Sequence, residues 1–584
     1  MTRIAVIEKE KCNPIKCGWL CVKLCPVNRT GKECILKGDD GKAHIDEALC
    51  NGCGICSNRC PFGAIHIINL PEELTQNPIH RYGENQFALY SLPTPMFGKV
   101  VGILGRNGIG KSTAIRILAG VLKPNLGDYD KEADFDRLIE YFKGSEAQKF
   151  FEKMRDKQIV ASYKPQNIEG LARMYHGAVR TLLEGIDEKK QLTGIAEALD
   201  IEKILNNDIR NLSGGELQRV AIAAAVLKKA NLYIFDEPTS YLDVKQRIKV
   251  SKFIKGLADE NTAVIVVEHD LIILDYMTDL IHIMYGKEAC YGIVGMPKTT
   301  KAGINVYLDG YLKEENIRFR DKRIVFLSKP PIQPKDEEQL VGWHGIKKQL
   351  DRFRLEAGHG QIDKKRVVGV LGENAIGKTS FVKILAGVIK QDSGEIIGKV
   401  KVSYKPQYLE PTDELVANVV KDAVKSYNTQ LIKPLDIDSL LNRKLTELSG
   451  GELQRVAICE CLSKEADLYL LDEPSAYLDV EQRLLISKLI NDIMKLREKS
   501  CLVVDHDLLF IDYISEQLIV FEGLPAEHGS VHGPFDMQKG MNKFLDDLGI
   551  TFRRDEESKR PRANKPDSVM DRKQKAEGKL YYTQ

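Results

Sequence analysis

Two short stretches of this chain carry residues spaced for phosphate chemistry, "GRNGIGKST" over 105–113 and "GENAIGKTS" over 372–380. Each follows an apolar run, "VVGIL" or "VVGVL", and opens a helix-forming stretch, the strand–turn–helix setting that a phosphate-binding loop requires. Gly105, Asn107, Gly108, Gly110, Lys111, Ser112 and Thr113 make up the first loop. Gly372, Asn374, Gly377, Lys378, Thr379 and Ser380 make up the second. In such loops backbone N–H groups and the helix start cradle phosphates. Lys111 and Lys378 then reach the β- and γ-phosphates, while Ser112 and Thr379 ligate Mg²⁺. Two further stretches, "LYIFDEP" and "LYLLDEP", read as short apolar strands ending in paired acids. Asp236 and Asp472 suit a Mg²⁺ shell, and Glu237 and Glu473 suit polarisation of an attacking water. Adjacent carboxylates at a buried strand end are costly without a cation, so a merely salt-bridged strand end is the poorer reading. The two loops differ at one glycine: Gly108 in the first is Ala375 in the second. An alanine held at positive φ costs about 1–2 kcal/mol. The sites are therefore expected to be unequal, the second weaker, with both hydrolysing.

The elements that must position these residues are duplicated. "LSGGELQRVAI" at 212–222 returns letter for letter at 448–458, "SYKPQ" at 162–166 returns at 403–407, and "VVEHD" at 266–270 returns as "VVDHD" at 503–507. Ser213 and Asp236 are 23 residues apart, as are Ser449 and Asp472. Lys111 and Gln166 are 55 residues apart but Lys378 and Gln407 only 29, which places an insertion of about 26 residues near 128–155 of the first copy. Its apolar spacing puts Phe135, Leu138, Ile139 and Phe142 on one helical face and Phe150, Phe151 and Met154 on another, a helix–loop–helix. Packing on its own domain and docking to a partner are equally consistent with that pattern. Phe87 in "HRYGENQF" and Phe353 in "DRFRL" stand 18 and 19 residues before Gly105 and Gly372, and Tyr82 lies in the same stretch as Phe87. They fit an adenine platform and a core aromatic equally well.

Nine of the 13 cysteines lie in the first 60 residues. Cys50, Cys53, Cys56 and Cys60, followed by Pro61, fit the C-x₂-C-x₂-C-x₃-C-P run of bacterial ferredoxins, and Cys12, Cys17, Cys21 and Cys25 with Pro26 form a looser version. Exchange of the fourth ligands gives one [4Fe–4S] cluster on Cys12, Cys17, Cys21 and Cys60 and another on Cys50, Cys53, Cys56 and Cys25, with Cys34 left over. Two Cys₄ zinc sites are the alternative, disfavoured by the tight triple spacing. No flavin, haem or dinucleotide motif supplies an electron acceptor. A structural or docking role is thus favoured over electron transfer.

"LSGGE", the glutamine of "KPQ", "DEP", "YLD" and a histidine soon after the paired acids together resemble the ATP-binding cassette ATPase family. That resemblance implies two α/β cassettes closing head to tail on two ATP molecules. One site would combine Lys111, Gln166, Asp236, Glu237 and His269 with Ser449 and Gly451. The other would combine Lys378, Gln407, Asp472, Glu473 and His506 with Ser213 and Gly215. Gln166 and Gln407 would join the Mg²⁺ shell, and His269 and His506 would act with the glutamates. Adding the ferredoxin-like α+β head, the chain resembles the ribosome-recycling cassette ATPases of subfamily E, the RNase L inhibitor family. The stretches "GINVYLDGYLKEENIRFR" and "GPFDMQKGMNKFLDDLGITFRRD" resemble that family's hinge. The resemblance implies ATP-driven splitting of ribosomes into subunits by a monomer that stays on the small subunit. Its implied partners are rRNA, a peptide release factor and initiation factors.

The expected layout is a head over 1–75, a first cassette over 76–300, a hinge over 301–325, a second cassette over 326–527, and a C-terminal hinge segment with basic tail over 528–584. The tail holds ten Lys/Arg against six Asp/Glu over 553–579 and reads as extended, solvated or resting on rRNA phosphate. For "RFRDKR" at 318–323, RNA contact and a solvated linker are equally consistent. No apolar run reaches the roughly 20 residues of a membrane span, and the start "MTRIAVIEKEKC" lacks an apolar signal core. A soluble cytoplasmic protein is expected. The rival readings are an ATP-dependent iron–sulfur assembly or redox ATPase, a transporter subunit needing a membrane partner, and a DNA-repair cassette. The last inserts long arms between loop and "LSGGE", where this chain has only 102 and 71 residues.

Overall fold

The computed structural model describes residues 3–47, 49–69, 77–326, 338–407 and 409–581. The boundary expected at 75/76 lies outside these residues, as does most of the start of the second cassette.

Each sequence repeat builds one large mixed sheet. In the first, the strands Ala161–Lys164, Leu232–Asp236, Ala263–Val267, Val100–Leu104 and Leu280–Lys287 lie side by side and parallel. In the second, Val402–Lys405, Leu468–Asp472, Ser500–Val504, Val367–Leu371 and Gln517–Leu524 repeat that order. The three central strands of each set are buried along their whole length, as expected for parallel strands covered by helices on both faces. This order puts the strand that precedes His269 between the phosphate-loop strand and the acid-pair strand. All three open their carboxyl ends on one crevice. Further strands in both antiparallel and parallel pairings complete each sheet; His528–Asp536 pairs antiparallel with Gln517–Leu524, past the expected 527 boundary.

The head is a small α+β unit. Arg3–Ile7 pairs antiparallel with Ile65–Asn69, and Ile35–Lys37 with Ala43–Ile45, around a core that includes Ala5, Ile7, Ile35, Ile45 and Ile65. The insertion forms helices Phe135–Tyr141 and Glu146–Arg155. Leu138, Phe150 and Phe151 are buried in the first cassette's own core, so the insertion packs at home, although Phe135 stays exposed.

The tail is folded rather than extended. Strands Phe552–Arg554 and Pro561–Ala563 pair, and helix Val569–Glu577 follows. Its basic residues meet buried acids of both cassettes. Arg560 and Arg562 pair with Asp275, while Arg554 pairs with Asp512 at 3.0 Å. Charge composition suggested solvation because those partners lie far off in sequence. In the hinge stretch, Arg320 is tied down, donating to the carbonyl of Tyr307 at 2.8 Å and lying 3.3 Å from Glu481 of the second cassette, while Arg318, Asp321, Lys322 and Arg323 are exposed. Among the described residues, no helix is long and apolar enough to cross a membrane.

Candidate functional site

The phosphate loops are pre-shaped. Lys111 donates to the carbonyls of Gly105 and Arg106 at 2.9 and 2.6 Å, and Lys378 to those of Gly372 and Glu373 at 2.8 and 2.7 Å. Gly105 and Gly372 therefore sit behind the lysines rather than on the cavity wall. Gly110 and Gly377, at φ +88° and +92°, turn each chain into its helix. Burial draws both lysines below the ordinary range, Lys378 to about 8, a cost that a phosphate would offset.

Asp236 and Asp472 end their strands beside the hydroxyls of Ser112 and Thr379; the latter donates to Asp472 at 2.8 Å. Burial and the neighbouring Glu237 push Asp236 up to about 6, as expected where a cation belongs. Gln166 donates to Glu237 at 2.8 Å and Gln407 to Glu473 at 2.6 Å. His269 and His506 approach the same glutamates at 3.4 and 3.7 Å. Glu237 and Glu473 both hold left-handed backbone, φ +46° and +47°, strain of the kind kept at functional sites. Ser213 and Ser449 cap helices Gly214–Val226 and Gly450–Ser463 through reciprocal bonds with Glu216 and Glu452.

A continuous cavity of about 1420 Å³ joins these groups, more than the roughly 300–1,000 Å³ of a single small-molecule pocket. Its wall includes residues of both loops, Gln166 and Gln407, both acid pairs, both histidines, and Ser213 with Gly215 and Gly451. Ser449 lies off the wall, bonded to Glu452. Tyr82, Phe87 and Phe353 also line it. The hydroxyls of Tyr82 and Thr113 are 3.1 Å apart, and Phe87 packs so closely on Gly110 that a Cβ there would lie 2.5 Å from its ring.

The sequence reading missed several contacts. Asp479 accepts from the Asn107 amide at 3.2 Å, and Asp243 from the Asn374 amide at 3.1 Å, so each "YLD" aspartate holds the other copy's phosphate loop. Lys164 and Lys405 donate to the carbonyls of Asp236 and Asp472, and Gln218 and Gln454 to those of Glu237 and Glu473. The letter-for-letter repeats that contain them were the available signal. Asn85, buried at φ +55°, joins the Tyr82–Phe87 loop to the head. Its side chain donates to the carbonyls of Ala5 and Ile45 and accepts from the Ile45 amide, and its own carbonyl accepts from Ile7.

In the head, Cys12, Cys17, Cys21 and Cys60 line one small cavity with Pro61 and Phe62. Burial and these neighbouring thiols push Cys21 up to about 11, so four thiolates there need a cationic core. Cys56 neighbours Cys50 and Cys53, while the leftover Cys34 is buried against Cys25 and Cys50. Both groupings fit thiolate-held clusters.

The ABC transporter family matches residues 96–240 and 355–476, a possible Fer4-like domain in RNase L inhibitor matches 2–33, and a 4Fe-4S binding domain matches 43–66. An uncharacterized ABC transporter ATP-binding protein of Methanocaldococcus jannaschii is 51% identical, over 99% of this chain and 97% of its own. The structure of ribosome-bound archaeal Pelota and ABCE1 holds a chain 50% identical, with a TM-score of 0.93 over 100% of this chain and 99% of that one. This chain belongs to the ABCE1, or RNase L inhibitor, family. A second ABCE1 structure, an archaeal ribosome recycling factor in complex with the ribosomal stalk protein aP1, is 49% identical, with a TM-score of 0.82 over 87% of this chain and 99% of that one. As an ABCE1-family chain it is an ATPase whose cofactors are [4Fe–4S] clusters and Mg²⁺.

Proposed function

We propose that this chain splits ribosomes into subunits by closing its two cassettes on ATP and moving the head that the first cassette carries. The carrying observation is the match, along nearly the full length of both chains, to a family member bound to the ribosome. The Asn85 joint between head and nucleotide loop supports it, because movement of that loop must reach the head. An iron–sulfur assembly role has no comparable support.

Within each site, Lys111 or Lys378 binds the β- and γ-phosphates. Glu237 or Glu473, held by its glutamine and with its histidine close by, orients and deprotonates a water. The opposite Ser-Gly-Gly helix start closes on the γ-phosphate. Ser112 with Gln166 and Asp236, and Thr379 with Gln407 and Asp472, would hold Mg²⁺, which when bound neutralises phosphate charge. Cys12, Cys17, Cys21 and Cys60 would hold one cluster and Cys25, Cys50, Cys53 and Cys56 the other; when bound, the clusters stiffen a head too small to be rigid on its apolar core alone. Both halves of each site lie in one chain, so a monomer suffices. Its partners are the ribosome, through small subunit and rRNA, and a peptide release factor, in the cytoplasm.

Sedimentation tests this. A non-hydrolysable ATP analogue should drive the protein into the small-subunit fraction, and Glu237→Gln with Glu473→Gln should hold it there with ATP. Absence from ribosomal fractions under both conditions rejects the proposal.

A further inference from the structure

Helices Val244–Lys255 and Val480–Arg497 begin at Asp243 and Asp479, the aspartates that hold the opposite phosphate loops. One turn further on, each presents an arginine clamped at two points. Arg247 donates from Nε to the Leu242 carbonyl at 2.8 Å and from Nη1 to Asp270 at 3.2 Å. Arg483 donates from Nε to the Leu478 carbonyl at 2.8 Å and from Nη1 to Asp507 at 2.5 Å. Asp270 and Asp507 directly follow His269 and His506 and cap helices Leu271–Met277 and Leu508–Ile514. Those two helices pack on each other between the cassettes. Both arginines line the large cavity, and a smaller one brings Arg247 and Asp270 against His506 and Leu508 of the other cassette.

Two chains of contacts result. One runs from the second phosphate loop to Asp243, whose backbone carbonyl accepts from the Arg247 backbone N–H at 2.8 Å, and on through Asp270 to its chain neighbour His269 of the first site. The other runs from the first loop to Asp479, whose backbone carbonyl accepts from the Arg483 backbone N–H at 2.9 Å, and on through Asp507 to its chain neighbour His506 of the second. They meet where Asp270 and Asp507 face each other, and burial and that like charge push Asp270 up. Two buried carboxylates tolerate this approach only with both guanidiniums in place. Separating the cassettes would break up the group.

We propose that Arg247 and Arg483 are positioning residues that couple the two nucleotide sites, each passing the state of one phosphate loop to the histidine of the other site. This rests on reading both sites as ATP sites.

The test compares first-site turnover with the second site filled or empty, in the full chain with its clusters. Glu473→Gln leaves turnover to the first site, and adding Lys378→Ala empties the second. The relay predicts a change of about fivefold or more between these two proteins. In an Arg247→Lys, Arg483→Lys background, where lysine keeps the charge but cannot make both bonds, the ratio should fall to about one. A ratio that persists in the lysine background, or that is already one in the parent, overturns the proposal. If the lysine variant loses its fold, Asp270→Asn with Asp507→Asn is put to the same ratio. Trapped nucleotide is counted in parallel. Fewer than two per unmutated chain, or no fall with Lys378→Ala, would sink the two-site reading instead.

Discussion

Ser240 donates to the carboxylate of Glu237 at 3.1 Å, whereas the corresponding position beside Glu473 is Ala476. Burial would raise Glu237, but His269 at 3.4 Å, then Lys111 and Ser240, bring it down to about 2. Burial, Asp505 and Asp472 instead push Glu473 up. A base acts when ionised, so second-site turnover should need a higher pH than first-site turnover. Ser240→Ala should slow the first site roughly fivefold, the worth of about 1 kcal/mol, and Ala476→Ser should shift the second site's pH profile downward. Single-turnover hydrolysis, with the other glutamate replaced by glutamine, checks both.

The phosphate loops differ by a measurable strain. Ala375 holds φ +56° where Gly108 holds +71°. A Cβ on Gly108 would lie 2.6 Å from Glu288, while the matching backbone bond in the second loop comes from Ala526, after Pro525 rather than a glutamate. Gly108→Ala should therefore weaken first-site nucleotide binding about tenfold or more, and Ala375→Gly should strengthen the second site by up to about tenfold. Calorimetric titration of an ATP analogue reads both, and equal affinities in the unmutated chain would contradict the expected inequality.

Asn85 tests how the head is held. Asn85→Asp keeps the size but removes the two amide donations and sets a charge against the Ala5 and Ile45 carbonyls, a loss of about 2–4 kcal/mol. Hydrogen exchange at Ala5, Ile7 and Ile45 should accelerate while the second cassette is unchanged. ATPase activity should persist but lose its stimulation by ribosomes.

Asp555 in the tail accepts from the Ser558 amide and hydroxyl at 3.0 Å and pairs with Arg562. Although burial opposes it, these bonds and the charge of Arg560 hold its carboxyl down at about 2. The folded state thus favours the ionised form. Its contribution is complete above the ordinary carboxylate range near pH 4 and is lost as the pH falls toward 2. Hydrogen-exchange protection over 551–581 should decline across that window. Asp555→Asn should start lower at neutral pH and show a flatter decline.

What could be read in the chain was whatever repeats or keeps fixed spacing. The phosphate loops, the acid pairs at Asp236 and Asp472, and the central buried strands all announce themselves through local pattern. The contacts that join these parts do not. Asp479 meets Asn107 across 372 residues and Arg560 meets Asp275 across 285, so neither is visible in any local window. The tail shows the cost of this blindness: its arginines count as solvated until their buried acids are located. Asn85 was hidden differently, since an asparagine in a polar turn ordinarily bonds its own backbone rather than a neighbouring domain.

Asp275 belongs to the first cassette, yet both arginines that neutralise it lie near the far end of the polypeptide. While the protein is being made, the first cassette must mature with that carboxylate unmatched, and it gains its counter-charges only after the second cassette has been synthesised. This pairing is thus a late step of biogenesis, and a chain stopped before residue 560 would emerge with both cassettes but without the two arginines that neutralise Asp275.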